Sequence, residues 1–513
     1  MSSLAAPPPS ATLATNERVQ ARLAAGAPVL HLAFGEAGLP VLPSVADRLG
    51  AAAGANGYGP VAGSPAVREA AAGYFERRGL PTNPDRILVA PGSKALLYAL
   101  LTVLPGDVVL PRPSWVSYAG QAALAGKRVL DVPIAKQAGG VPDPDALRAL
   151  LTAPRVDGRR PAILVLTLPD NPTGTVAPGL LVEAVCDVAR EHGLLIVCDE
   201  IYRDLAYEPE TLLSPATLLP ETAFVTNGLS KSMALGGWRI GFCRLPNGPL
   251  GADAAVALSG MASEVWSSLA APMQHAAAYV LGEPHEVVDH VARSRRLHRL
   301  VTSAAHEQVT AAGAICRPPS GAFYLYPDLE PLRPALHARD VRTGAQLAQL
   351  LLDRYDVAVL DGGAFGDDPS ALRFRMATSL LYGADEAQRW EALRADDPVA
   401  LPWIAGALCR PPSGAFYLYP DLEPLRPALA RAGVSTGAQL AALLLEHHDV
   451  AVLEGEAFGD DPGALRFRMA TSLLYGADEA QRWEALRADD PLALPWIAGA
   501  LERLGETLSA LAA

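Results

Sequence analysis

The chain has 513 residues, 50% hydrophobic and 19% charged, an ordinary globular composition with length enough for two or three domains. Its formal net charge of −13 argues against a nucleic-acid backbone as partner, which would favour a basic surface. No stretch approaches the ~18 uninterrupted apolar residues that a membrane-spanning helix needs.

Residues 1–12 are rich in Ala, Pro and Ser and are expected to be disordered; they lack the basic start and apolar stretch of a secretory signal. Residues 13–45 are expected to form an arm contributing to a smaller domain, and 46–285 a large domain. Within the latter, short apolar runs alternate with helical patterns. The predicted strands are Arg86–Ala90, Asp107–Leu110, Arg128–Pro133, Ala162–Leu168, Leu194–Cys198, Ala223–Thr226 and Arg239–Arg244, with helices such as Leu181–His192 between them. This alternation predicts an α/β fold whose mainly parallel seven-stranded sheet is buried on both faces. Glu286 to about Ala312 reads as one long helix leading into a smaller α+β domain. The five cysteines (Cys186, Cys198, Cys243, Cys316, Cys409) are widely spaced and free of C-x-x-C or histidine pairings. They suit reduced thiols in a cytoplasmic protein better than disulfides or a zinc site, and no metal is expected.

Cys316–Leu408 and Cys409–Leu501 are tandem segments of 93 residues, identical at 80 positions. The period exceeds the ~20–50 residues of a solenoid unit, so a duplicated domain segment is expected. The first copy occupies 286–408 with the linking helix. The second occupies 409–513 with a C-terminal helix, Leu501–Leu511. No Gly/Ser linker separates them.

Four motifs follow predicted strands, where open parallel sheets gather ligands. Gly92-Ser93-Lys94 opens a helical run, Ala95–Leu101, and would present backbone N–H groups to an anion. Asn171-Pro172-Thr173-Gly174 is by itself a common turn. In Asp199-Glu200-Ile201-Tyr202, a carboxylate ends an apolar strand and needs a cation or a ligand. The run from Gly228 to Gly241 frames Lys231 with small residues and places Arg239 eight positions on. An amine able to form a Schiff base, with a cation near it for a phosphate, is what pyridoxal phosphate requires.

In this order the motifs resemble the aspartate-aminotransferase-like family of fold type I pyridoxal-phosphate enzymes, over residues 30 to 408. The resemblance implies that Lys231 carries the cofactor and moves the substrate proton, and that Asp199 pairs with the ring nitrogen. Asn171 and Tyr202 would donate to the ring 3′-oxygen, and Trp115 would stack on the ring. Ser93, Lys94, Ser230 and Arg239 would hold the phosphate, with Tyr58 reaching the phosphate of a neighbouring subunit in a homodimer. Gly35 belongs to the loop that closes over the substrate carboxylate near Asn171. The family's carboxylate-binding arginine falls at Arg373 in the first copy and Arg466 in the second, while Arg375 and Arg468 stand where the family carries serine. Copy one follows the linking helix directly and is expected to complete the site; domain swapping is the alternative. Because closing a longer loop costs only ~0.6 kcal/mol per doubling, loop length alone does not exclude copy two.

The implied activity is transfer of an amino group between an L-amino acid and a 2-oxo acid, with Lys94 leaning toward acidic donors. A C–S lyase or another β- or γ-eliminating or synthase enzyme of the same fold is the alternative. A transcription regulator with an aminotransferase-like sensor domain is disfavoured, since only about thirty residues precede the Gly35 loop and the chain is acidic.

Overall fold

The computed structural model describes residues 11–408, apart from 28, 155–157 and 159, and scattered parts of 417–502. They form two compact units, divided between Cys409 and Arg410.

The first unit opens with a helix, Ala11–Ala24, which begins two residues inside the segment expected to be disordered; residues 1–10 lie outside the described residues. A short strand follows, β1 (Leu30–His31). All seven strands expected for the large sheet form: β2 (Ile87–Pro91), β3 (Asp107–Arg112), β4 (Val129–Pro133), β5 (Pro161–Thr167), β6 (Leu195–Asp199), β7 (Ala223–Gly228) and β8 (Ile240–Arg244). Their order is β2-β8-β7-β6-β5-β3-β4, and β8 alone runs opposite to the other six. The continuous apolar runs are explained by burial on both faces. Leu164, Leu166, Ile196 and Val225 pack with Val182 and Val185 of the helix Gly179–Glu191. Their alternates Ile163, Val165, Val197 and Phe224 pack with Leu96 and Leu100 of the helix Ser93–Val103. Each such side chain contributes about 1.5–3 kcal/mol on leaving water.

The linking helix spans His285–Ala311. Its Leu297 and Val301 enter a core with Leu372, Phe374, Tyr382 and Ile404. Here stand β9 (Tyr324–Leu325), β10 (Val357–Ala358), β11 (Leu360–Asp361) and β12 (Phe374–Ala377), with β12 antiparallel between β11 and β9. The N-terminal arm completes this region. β1 pairs in parallel with β10, and Val19 and Ala33 cover Leu352 and Ala358. Arg22 adds ion pairs to Asp353 and Asp356.

The second unit contains β13 (Tyr417–Leu418), β14 (Leu453–Glu454) and β15 (Phe467–Ala470), with β15 antiparallel between the other two. Tyr417 faces Ala470 as Tyr324 faces Ala377 in the first unit. Its core gathers Leu429, Val434, Leu440, Leu444, Leu465 and Phe467. The helix expected at Leu501–Leu511 lies, Glu502 apart, outside the described residues. Among the described residues no helix is long and apolar enough to cross a membrane.

Candidate active site

Strand β7 ends in a single helical turn, Leu229–Ser232, that carries Lys231. The turn is drawn tight against β8: a Cβ on Gly228 would stand 2.7 Å from the Ile240 carbonyl oxygen. The Lys231 Nζ donates to the Gly35 carbonyl at 2.6 Å. Burial, then the nearby Arg375 and Arg239 charges, pull its pKa down to about 8, against the opposing pull of Glu36 and Asp199. One amine thus feels two arginines and two carboxylates at once.

Asp199 closes β6 and is 3% exposed. Its carboxylate accepts from the Tyr118 hydroxyl at 2.9 Å, the Ile201 amide at 3.3 Å and the Thr226 hydroxyl at 3.4 Å. Burial raises its pKa to about 6, and these donors hold it from rising further. Sequence reasoning missed Tyr118. It lies three residues after Trp115, but nothing local distinguishes its hydroxyl from that of a core tyrosine. Trp115 meets it edge-on at 5.2 Å, and the Lys94 ammonium lies 5.1 Å from the Trp115 ring centre.

The anion-binding corner is assembled by β2 and β8. Their register sets Ala90 opposite Gly241 and Pro91 opposite Ile240, which brings the start of the helix Ser93–Val103 against Arg239. Gly92 is at φ +90, which favours glycine, and a Cβ there would lie 2.3 Å from Arg239 Nη2, so a larger residue would also push that guanidinium aside. Arg239 itself is left-handed, at φ 56, and its Nη1 donates to the Gly236 carbonyl at 2.9 Å. Partial burial and Arg239 lower the Lys94 pKa. Ser230, half-buried, immediately precedes Lys231.

Arg373, the arginine expected for the substrate carboxylate, and Arg375 stand in different surroundings. Arg373 is held by Asp328 at 2.8 Å and Asp367 at 3.2 Å, so two carboxylates already neutralise it. Arg375, two residues on and inside β12, lies beside Asn171. It is 1% exposed, donating from Nη1 to Asn171 Oδ1 at 3.1 Å and from Nη2 to the Ala33 carbonyl at 2.5 Å. Its guanidinium lies over the rings of Tyr324 (4.9 Å) and Phe365 (5.1 Å), and its buried Nε has no hydrogen-bond partner among the described residues. A buried cation with no carboxylate paired to it among the described residues points to an anionic ligand. Arg466 belongs to the second unit, immediately before β15. Tyr202 is 3% exposed, with the Lys231 Nζ 5.9 Å from its ring centre and its hydroxyl 2.7 Å from that of Tyr324. Tyr58 is 96% exposed and joins none of these groups.

A lysine-centred site at the carboxyl ends of a doubly covered, mainly parallel sheet defines a class of carbonyl- and amine-handling enzyme. Residues 27–380 match the family aminotransferase class I and II, to which the chain belongs. It is 34% identical over 384 residues to the aspartate/prephenate aminotransferase of Thermus thermophilus, covering 72% of this chain and 92% of that one. It is 33% identical over 381 residues to an aspartate aminotransferase of Geobacillus stearothermophilus, covering 72% and 93%. Among solved structures, the aspartate aminotransferase from Thermus thermophilus with maleate superposes with TM-score 0.65 at 32% identity, over 75% of this chain and 95% of that chain. The chain is a pyridoxal-phosphate-dependent transaminase by family.

Proposed function

We propose that the protein transfers an amino group from an acidic L-amino acid to a 2-oxo acid on pyridoxal phosphate carried by Lys231. One observation carries this reading: Lys231 follows β7 at the same sheet end where Asp199 closes the neighbouring β6 and Arg239 immediately precedes β8, with the Lys231 amine on the Gly35 carbonyl. The residues suit the cofactor's three polar ends. Asp199 would hold the ring-nitrogen proton, and Asn171 and Tyr202 would donate to the 3′-oxygen. The amides of Ser93 and Lys94 at a helix N-terminus, with the Lys94 side chain, Ser230 and Arg239, would hold the phosphate. Trp115 would cover one ring face. When bound, the cofactor supplies an electron sink for the carbanion left by loss of the substrate α-proton.

The chain's own residues supply the rest. An amine with a pKa of about 8 holds and returns a proton near neutral pH, so Lys231 serves as both base and acid. Arg375 anchors the substrate carboxylate, and because Asn171 Oδ1 is occupied by Arg375, the Asn171 amide N–H groups remain free to donate. Tyr58, exposed in one subunit, reaches the phosphate corner of a partner in a homodimer. The relatives named for aspartate and prephenate, and Lys94 beside the phosphate corner, support an acidic donor. No observation favours the eliminating alternative.

Addition of L-aspartate or L-glutamate to the loaded protein is expected to change the bound cofactor's absorbance stoichiometrically and release one equivalent of 2-oxo acid. A 2-oxo acid should reverse the change. Release of pyruvate and ammonia from a β-substituted amino acid such as L-cysteine, with loss of the β-substituent and without any acceptor, would sink the transaminase reading.

A further inference from the structure

Tyr202 and Tyr324 face each other hydroxyl to hydroxyl, 2.7 Å apart, and both are buried. Among the described residues neither hydroxyl has another hydrogen-bond partner. Two phenols carry two protons, but one bridge consumes only one. The remaining proton belongs to whichever tyrosine is the acceptor of the bridge.

The surroundings decide which. Around Tyr324 the room is closed: a Cβ on Gly35 would stand 2.3 Å from its hydroxyl oxygen, and the Arg375 guanidinium lies 4.9 Å from its ring centre. A proton left on Tyr324 would sit beside a cation with no acceptor, the costly state of a buried donor. Tyr202 instead borders the Lys231 amine, 5.9 Å from its ring centre, and so borders the space where the cofactor is held. A proton left on Tyr202 can meet an oxygen there. Each donor in such a chain also strengthens the next.

We propose that Tyr324 is a positioning residue: its hydroxyl donates to Tyr202 and thereby commits the Tyr202 proton to the cofactor's 3′-oxygen. This rests on the aminotransferase reading and extends it to a residue outside the motifs assigned to the cofactor. It also explains Gly35, whose missing side chain leaves space for the Tyr324 hydroxyl.

Tyr324→Phe removes one oxygen and keeps the ring under Arg375. The readout is the pH midpoint at which the absorbance of the lysine-bound cofactor changes. A donor to the 3′-oxygen stabilises the deprotonated chromophore, so weakening that donor raises the midpoint. Tyr324→Phe is expected to raise it by ~0.5 pH unit, and Tyr202→Phe by more. The double variant should match Tyr202→Phe alone, because Tyr324 acts through Tyr202. Gly35→Ala, which presses on the same hydroxyl, should shift the midpoint in the same direction. An unchanged midpoint in Tyr324→Phe, or an equal added shift in the Tyr202→Phe background, overturns the relay. If the unsubstituted protein forms no lysine-bound chromophore, the aminotransferase reading falls, and the relay with it.

Discussion

Two stretches of this chain share 80 of 93 residues, yet one leucine in each meets a different fate. Leu352 is 4% exposed, covered by Val19 and Ala33 of the N-terminal arm, whereas its counterpart Leu445 is 53% exposed. The arm also bonds residues the second segment changes. Arg18 donates to Gln349, where the second segment has Ala442, and Arg22 pairs with Asp353, where it has Glu446. A near-identical sequence folds to the same three-stranded sheet in both units, but only the first has the arm and Asn171 beside it in one compact unit. Local sequence sets the sheet; elements far away in the chain set what its arginines and leucines do.

The largest expected effect separates the two segments by function. Arg375→Ala should weaken binding of a dicarboxylate such as maleate by ~100-fold, in line with losing a charge-assisted, desolvated contact. Arg468→Ala should leave it within about twofold. Loss of binding in Arg468→Ala alone would assign the site to the second segment. Arg373→Ala should spare maleate affinity, because Asp328 and Asp367 already engage that side chain.

Stability should divide the segments next. Leu352→Ala is expected to cost about 2–4 kcal/mol, as for other buried leucines, while Leu445→Ala costs under about 0.5 kcal/mol. Equal shifts in urea midpoint would show that Leu445 is covered in solution. Arg22→Ala should matter least, below about 1 kcal/mol, since its partners Asp353 and Asp356 are 51% and 35% exposed. A pH series sharpens the first unit's side of the comparison. Reactivity of the cofactor-free Lys231 amine should rise with a midpoint near pH 8. Removing the Arg375 charge should move that midpoint upward, since a neighbouring cation disfavours the ammonium.

Much of this was legible in the sequence, for physical reasons. Strands buried on both faces write themselves as unbroken apolar runs, so all seven were found within a residue or two. Lys231, Asp199, Asn171 and Ser93 sit at strand ends, where motif and position coincide. The choice between Arg373 and Arg375 was not legible. Arg373 immediately precedes β12 and Arg375 lies within it, and only Asp328, 45 positions away, and Asp367 set the two apart. Tyr118 and Tyr324 likewise gain their meaning from partners 81 and 122 residues distant.

The central claim is that a single lysine carries the chemistry. The chain has four lysines, Lys94, Lys127, Lys136 and Lys231, and none falls in either repeated segment. Borohydride reduction of the protein loaded with pyridoxal phosphate, followed by peptide mass spectrometry, should place one stable adduct per chain on Lys231. An adduct on Lys94, Lys127 or Lys136 in place of Lys231 would contradict the account.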